Sequence, residues 1–101
     1  SALEAAHREL IEETGYAAGK VEILMACPSS AGMSDEIITF VAATGLQRVG
    51  PGGGDASEDI EVVAVPLEQV DDWLTGQQSL GKPMDPKIYS ALYWLQKSGQ
   101  Y

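Results

Sequence analysis

Cysteine, positive charge and long apolar runs are all scarce in this sequence. The single cysteine, Cys27, excludes an intrachain disulfide and a zinc site built from several thiolates, and it fits a reducing compartment such as the cytoplasm. Lysine and arginine number 6 against 15 acidic residues, and the resulting net charge of −9 argues against nucleic-acid binding. No apolar run approaches the roughly 18 residues of a membrane-spanning helix, so we expect no membrane partner.

The apolar content that is present suffices for one small domain. The 101 residues are 45% hydrophobic, an ordinary share for a globular protein. We therefore predict a single domain over residues 1–101. Because the chain begins with Ser1 rather than methionine and opens directly into a helical pattern, we expect the natural N-terminus to lie further upstream.

Hydrophobic periodicity and turn residues predict six regular elements. An apolar stripe that ends at Gly15 indicates a first helix, with this glycine as its left-handed cap. The predicted elements are a helix at 2–14, strands at 20–26, 37–44 and 60–65, and helices at 67–74 and 86–97. Loops are expected at 28–34, 50–59 and 75–85. The glycine-rich loop 50–59 is expected to be the most flexible. This order predicts an α/β fold in which helices flank a mixed sheet.

Three glutamates fall within five residues of the first helix, in the stretch RELIEETGY. Glu9 and Glu13 are four residues apart and share a helix face, while Glu12 lies at its edge. Arg8 is four residues from both Glu4 and Glu12, so it is expected to steady one of them. Carboxylates that converge in this way suit a hard divalent cation such as Mg²⁺, which keeps room for water and substrate phosphate. From spacing alone, a solvated acidic surface is the alternative.

The sequence of residues 8–16 resembles the second half of the Nudix box, R-E-U-x-E-E-x-G-U, where U is a bulky apolar residue. Every fixed position agrees, with Tyr16 as the final apolar residue. The first half, G-x₅-E, is absent, and its glutamate would fall one position before Ser1. The resemblance implies a Nudix-type α/β/α sandwich with a mixed sheet, lacking its N-terminal strands.

Three further segments resemble the ADP-ribose pyrophosphatase branch of the Nudix hydrolases. Residues 30–36 are similar to its S-P-G-x-S-D-E loop, with Ala31 in place of the proline. Residues 55–62 are similar to its late catalytic loop, in which an acid precedes a strand, and residues 84–92 are also typical of the branch. The likeness therefore covers most of the chain.

The resemblance assigns metal-binding roles to the residues that match the box. Glu9 and Glu13 are implied to be direct ligands of Mg²⁺, with Mn²⁺ as an alternative ion. Glu12 is implied to be a third ligand or a hydrogen-bonding neighbour. Arg8 is implied to orient these carboxylates. The ions would neutralise the pyrophosphate and help to form the attacking hydroxide.

Two residues outside the box complete the predicted site. Glu58, at the end of the glycine-rich loop, is the predicted general base, because such a loop can close over a bound substrate. Asp55 and Asp59 are the alternatives for that role. Glu36 is predicted to touch substrate or metal, with an acid at the entry of a strand as the structural alternative.

The implied activity is hydrolysis of the pyrophosphate bond in a nucleoside diphosphate linked to another group. ADP-ribose, giving AMP and ribose 5-phosphate, is the favoured substrate. A nucleotide sugar, such as a GDP-linked hexose, is the alternative within the enzyme class. The alternative outside the enzymes is an inactive Nudix-like binding or regulatory module. The resemblance also implies a homodimer.

Overall fold

The structure, a computed structural model, describes residues 1–30, 32–33 and 35–99. Its backbone divides into two compact units, Ser1–Val62 and Val63–Tyr101. The first unit contains α1 (Ala2–Thr14), β1 (Tyr16–Ala17), β2 (Lys20–Pro28), β3 (Ile37–Thr44) and β4 (Gln47–Arg48). The second contains a 3₁₀ turn (Leu67–Gln69), α2 (Val70–Ser79) and α3 (Lys87–Lys97). The predicted α/β class is confirmed. Of the helices described, none combines the length and apolar character needed to cross a membrane.

Local signals define both ends of α1. At its start the Ser1 hydroxyl oxygen accepts a hydrogen bond from the Glu4 backbone N–H at 3.2 Å, as an N-cap does. At its end Gly15 adopts φ 80°, and its N–H donates to the Ile11 carbonyl at 2.9 Å. The predicted helix and its glycine cap are therefore confirmed.

An antiparallel hairpin of β2 and β3 forms the larger of the described sheets. Its register runs from Lys20 opposite Thr44 to Pro28 opposite Ile37. A register shift between Ile23 and Met25 gives β2 one extra residue, as in a β-bulge. Both predicted strands are confirmed, and β2 extends two residues further than predicted, to Pro28.

A second, smaller sheet pairs β1 with β4, with Tyr16 opposite Arg48 and Ala17 opposite Gln47. Neither strand was predicted, because two residues are too short to show an alternating pattern. This pairing brings the chain that leaves α1 against the chain that leaves β3. It thereby positions the glycine-rich loop that follows β4.

The third predicted strand, at residues 60–65, is wrong. The described residues of this segment form no strand ladder. Val62 and Val63 are 43% and 48% exposed, so their β-branched side chains have no sheet neighbours to pack against. Strand propensity largely reflects such packing rather than an intrinsic backbone preference. The pairings that the structure does describe are both antiparallel.

In the second unit, α2 continues five residues beyond the helix end predicted at Leu74. Residues 75–79, predicted as loop, are helical, and two of their side-chain hydroxyls bond back to the helix itself. The hydroxyls of Thr75 and Ser79 donate to the carbonyls four residues earlier, those of Asp71 and Thr75, each at 3.1 Å. The expected loop is therefore shorter and begins after Ser79.

Helix α3 confirms the last predicted helix to within one residue at its start. The Asp85 carboxylate accepts from the Lys87 backbone N–H at 2.9 Å and pairs with the Lys87 ammonium at 2.8 Å. The side-chain amide of Gln78 donates to the Tyr89 hydroxyl, which joins α2 to α3. Leu74 on α2 is 3% exposed, so it is the apolar anchor of this unit.

Candidate active site

Helix α1 and strand β3 line an open groove of about 370 Å³. Glu9 and Glu13 contribute the carboxylates of this groove. Its other wall consists of alternate residues of β3, which point to the same side of the strand. The remaining lining residues are Ala2, Ala5, Ala6, Ile37, Thr39 and Val41. The prediction that Glu9 and Glu13 share one face is therefore confirmed, and the small alanines leave the space beside them open.

Electrostatics disfavour this pair of glutamates unless a cation joins them. Like charges four residues apart destabilise a helix. Glu13 also lies in the last turn of α1, where the helix dipole is negative and no basic residue is present. Within the described part of the chain, no ion pair engages Glu9 or Glu13. The repulsion between them is therefore not balanced by a basic side chain.

The donor set at the groove fits a hard divalent cation with an incomplete protein shell. Mg²⁺ is commonly held by one or two carboxylates and keeps water or substrate phosphate in its other positions. Among residues 1–30, 32–33 and 35–99, no group of three or more His, Cys, Asp or Glu side chains gathers as a metal cluster. Glu9 and Glu13 are the two carboxylates of the groove that would hold such an ion.

Arg8 and Glu12 form an ion pair outside the groove. The Arg8 Nε lies 3.9 Å from the Glu12 Oε1, and neither residue lines the groove. Of the two partners expected for Arg8, the structure therefore shows Glu12. Both side chains are largely exposed, so the pair contributes little to stability. Its effect is to hold Glu12 to one side of the Glu9–Glu13 pair.

The glycine-rich loop is bonded to the end of α1, although it was expected to be the most flexible stretch. The Gly53 N–H donates to the Glu13 carbonyl at 2.8 Å, and the Gly54 N–H donates to the Glu12 carbonyl at 3.0 Å. These carbonyls belong to the last turn of the helix, which lacks internal donors. The start of the loop that carries Glu58 is thus fixed beside the predicted metal ligands.

The Glu58 side chain turns back onto its own loop. Its Oε1 accepts from the Asp55 backbone N–H at 3.1 Å, and the Glu58 N–H donates to the Asp55 carbonyl at 3.1 Å. A side chain on Gly54 would collide with it, since a Cβ there would lie 2.7 Å from the Glu58 Cβ. The structure therefore brings the loop to α1 but does not place the Glu58 carboxylate in the groove.

Asp55 gives this turn a pH dependence. The Ser57 hydroxyl, followed by the Ser57 backbone N–H, donates to the carboxylate at 2.5 and 2.8 Å and holds the pKa of Asp55 below its ordinary 3.8. A carboxyl group whose pKa is lower in the folded than in the unfolded state stabilises the fold at pH values above its unfolded-state pKa. That contribution is lost as the pH falls through the folded-state pKa. We expect the Ser57 amide resonance to titrate with a midpoint below pH 3.8. Asp55→Asn should abolish this titration, whereas a midpoint at or above 3.8 would contradict the assignment.

Glu36 lies immediately before β3. Its carbonyl accepts from the Ser29 N–H at 3.1 Å, which closes the connection from β2. The next residue, Ile37, lines the groove, so Glu36 lies at one end of it along the chain. Ala31 and Ser34, which belong to the predicted loop at 30–36, lie outside the described residues. Contact of Glu36 with substrate or metal stays a prediction.

The sequence reasoning missed the wall that faces the glutamates. The alternation of Ile37, Thr39 and Val41 was the available signal, since every second residue of a strand shares a face. Nothing in the sequence indicated that this face would meet α1. That contact depends on how the hairpin packs.

The comparisons with known proteins find curated relatives that share one name. No family model matches the chain. Over about nine-tenths of its length, across both units, the chain is similar to curated proteins that are named pyrophosphatases.

The GDP-mannose pyrophosphatase of Enterobacter sp. (strain 638) is 38% identical over 94 residues, which are 91% of this chain and 47% of the relative. Those of Escherichia coli O1:K1 / APEC and strain SMS-3-5 / SECEC are 38% identical over 93 residues, 90% of this chain and 47% of each relative. The chain thus spans about half the length of the curated relatives it matches.

Proposed function

We propose that the chain carries the metal-binding part of a Nudix pyrophosphohydrolase that cleaves a nucleoside diphosphate sugar. The observation that carries this proposal is the placement of Glu9 and Glu13 in one groove, one helical turn apart. These glutamates occupy the matching positions of the Nudix half-box at residues 8–16. The similarity to GDP-mannose pyrophosphatases supports the same reaction class.

In this proposal Glu9 and Glu13 hold Mg²⁺, or Mn²⁺ in its place. Glu12 is paired with Arg8 outside the groove, so to act as a third ligand or a hydrogen-bonding neighbour of the first two it must turn toward them. When bound, the ion would neutralise diphosphate charge and lower the pKa of a coordinated water. A cation is needed for binding as well, because carboxylates in a protein of net charge −9 repel a diphosphate.

The reaction is an in-line displacement at phosphorus. The oxygen of a water molecule bonds to one phosphorus of the diphosphate, and the bridging P–O bond breaks. The leaving phosphate takes the bonding electron pair, and the proton from water goes to the general base. Glu58 is the proposed base, and to act it must leave the Asp55 N–H and reach the groove. The products are a nucleoside monophosphate and a sugar phosphate.

For the substrate we propose GDP-mannose or a related GDP-linked hexose in preference to ADP-ribose. The names of the curated relatives support this choice. The ADP-ribose alternative rests on the resemblance of residues 30–36 and 55–62 to that branch. A homodimer and a cytoplasmic location are also parts of the proposal.

Purified intact protein with Mg²⁺ should hydrolyse GDP-mannose with a kcat/KM at least about tenfold above that for ADP-ribose, because a site that hydrogen-bonds guanine leaves polar groups unpaired against adenine. Chromatographic quantification of the GMP and AMP formed from the two substrates measures this ratio. Excess EDTA should abolish turnover, and added Mg²⁺ or Mn²⁺ should restore it. Metal-independent hydrolysis would contradict the proposal.

A nucleotide-binding module without catalytic activity is the second candidate. The position of Glu58, bonded within its own loop rather than in the groove, favours it. Calorimetry alongside the product assay separates the two functions. Metal-dependent binding of GDP-mannose by calorimetry, with no product released, would support the module and overturn the enzyme.

A further inference from the structure

We propose that the glycine segment, residues 50–54, is a positioning element that fixes the last turn of α1 and thereby the Glu13 carboxylate. The inference rests on the proposed function, because it concerns the same metal-binding pair. Residues of this segment touch neither metal nor substrate in the proposal. They act through the backbone on which Glu13 is carried.

Hydrogen bonds from the segment and its preceding residue close the end of α1. The last carbonyls of a helix have no internal donors, and its last turn frays unless they are satisfied. Gly53 and Gly54 donate to the carbonyls of Glu13 and Glu12. Val49 and Gly50 donate to the Gly15 carbonyl at 2.8 and 3.2 Å. The final turn is therefore held by the loop as well as by its own cap.

The two backbones approach too closely for any side chain between them. A Cβ on Gly52 would lie 2.5 Å from the Thr14 carbonyl carbon and 2.8 Å from its oxygen. A Cβ on Gly15 would lie 2.2 Å from the Gly50 carbonyl oxygen. Both glycines also have positive φ, 69° and 80°, where L side chains are strained. A methyl group at Gly52 must consequently push the segment away from α1.

Separation of these backbones acts mainly on Glu13 rather than on Glu9. Glu9 lies one turn earlier and does not depend on the loop for its backbone bonds. Glu13 belongs to the turn whose carbonyls the segment caps. Displacement of a single ligand of a two-carboxylate site weakens the binding of the ion without removing any donor. Groups that orient metal ligands are typically worth about 10- to 100-fold in affinity.

The test compares Gly52→Ala with Gly81→Ala. Gly81 has a similar φ of 81°, but a methyl group added there would have no atom within 4 Å, so this variant reproduces the backbone strain without the collision. Electron paramagnetic resonance titration with Mn²⁺ measures affinity independently of activity. We expect Gly52→Ala to raise the Mn²⁺ dissociation constant about 10- to 100-fold. Gly81→Ala should leave it within about twofold of the unmodified protein.

Each outcome separates this inference from the proposed function. Equal Mn²⁺ affinity in folded Gly52→Ala and unmodified protein would overturn the positioning role alone. Absence of Mn²⁺ binding in the unmodified protein would overturn the proposed function, and the positioning role with it. A purely structural role would lower the thermal midpoint of Gly52→Ala without changing its Mn²⁺ affinity.

Should Gly52→Ala fail to fold, amide hydrogen exchange in the unmodified protein decides the question. By thermodynamic linkage, if closing of the segment onto α1 raises the affinity for the ion, binding of the ion must favour the closed segment by the same factor. Saturating Mg²⁺ should therefore slow exchange of the Gly53 and Gly54 amides by about 10- to 100-fold. The Gly99 amide, which bonds to the Gln96 carbonyl, is the control and should not respond. Unchanged exchange at Gly53 and Gly54 would overturn the inference.

Discussion

Glu13→Gln is expected to lower turnover by at least about 100-fold while leaving the helical content of the protein unchanged. Glutamine preserves the shape of the side chain but removes the charge that would bind the ion. Because groups that merely orient a ligand are worth about 10- to 100-fold, loss of a direct ligand should cost at least the upper end of that range. The exposed position of Glu13 on α1 means that the fold does not depend on its charge.

Steady-state kinetics with Mg²⁺ and circular dichroism on the same preparation provide the measurement. Glu4→Gln is the matched control, since Glu4 lies on the same helix, loses the same charge and does not line the groove. It should retain turnover within about twofold, as surface substitutions usually do. Normal turnover of Glu13→Gln, or an equal loss in Glu4→Gln, would show that the glutamate pair is not the metal site.

Local sequence signals predicted those elements whose determinants are themselves local. Helix α1 has a serine cap at one end and a left-handed glycine at the other, both within one turn of the helix. Strand β3 was predicted with its observed bounds because residues 37–44 are rich in β-branched and aromatic residues. Residues 60–65 carry the same kind of signal, yet no described strand pairs with them. Pairing is a tertiary property that composition alone does not reveal.

In the candidate site, too, the sequence predicted the features that depend on local signals and did not predict those that depend on tertiary contacts. The common face of Glu9 and Glu13 follows from helical periodicity, so the sequence sufficed to predict it. The position of Glu58 depends on a turn in which Asp55 bonds Ser57 and the Glu58 carboxylate accepts from the Asp55 N–H. The glycine segment was predicted to be flexible because four glycines lower the cost of many conformations. The same absence of side chains permits its close approach to α1, which only the three-dimensional structure reveals.

The glutamate pair and the glycine segment have a common physical basis at the end of α1. Acidic side chains in the last turn of a helix are unfavourable, because they lie beside the negative end of its dipole. The backbone N–H groups of Gly53 and Gly54 offset part of this by satisfying the exposed carbonyls. A divalent ion at Glu9 and Glu13 would offset the remainder. Loop and cation would therefore stabilise the same turn, which is why we expect their effects to be coupled.

Leu74→Ala is expected to destabilise the second unit by about 2–5 kcal/mol, the usual cost of removing a buried leucine side chain. Leu74 is 3% exposed and is the most buried apolar side chain among the described residues. Leu80→Ala is the matched control, because Leu80 is 72% exposed at the end of the same helix and the substitution is identical. Its cost should stay within about 0.5 kcal/mol.

Urea unfolding followed by far-UV circular dichroism measures both values. Since small domains are stable by only about 5–15 kcal/mol, the Leu74 variant should show a clearly lower midpoint. Equal midpoints for the two variants would mean that Leu74 does not anchor the packing of this unit.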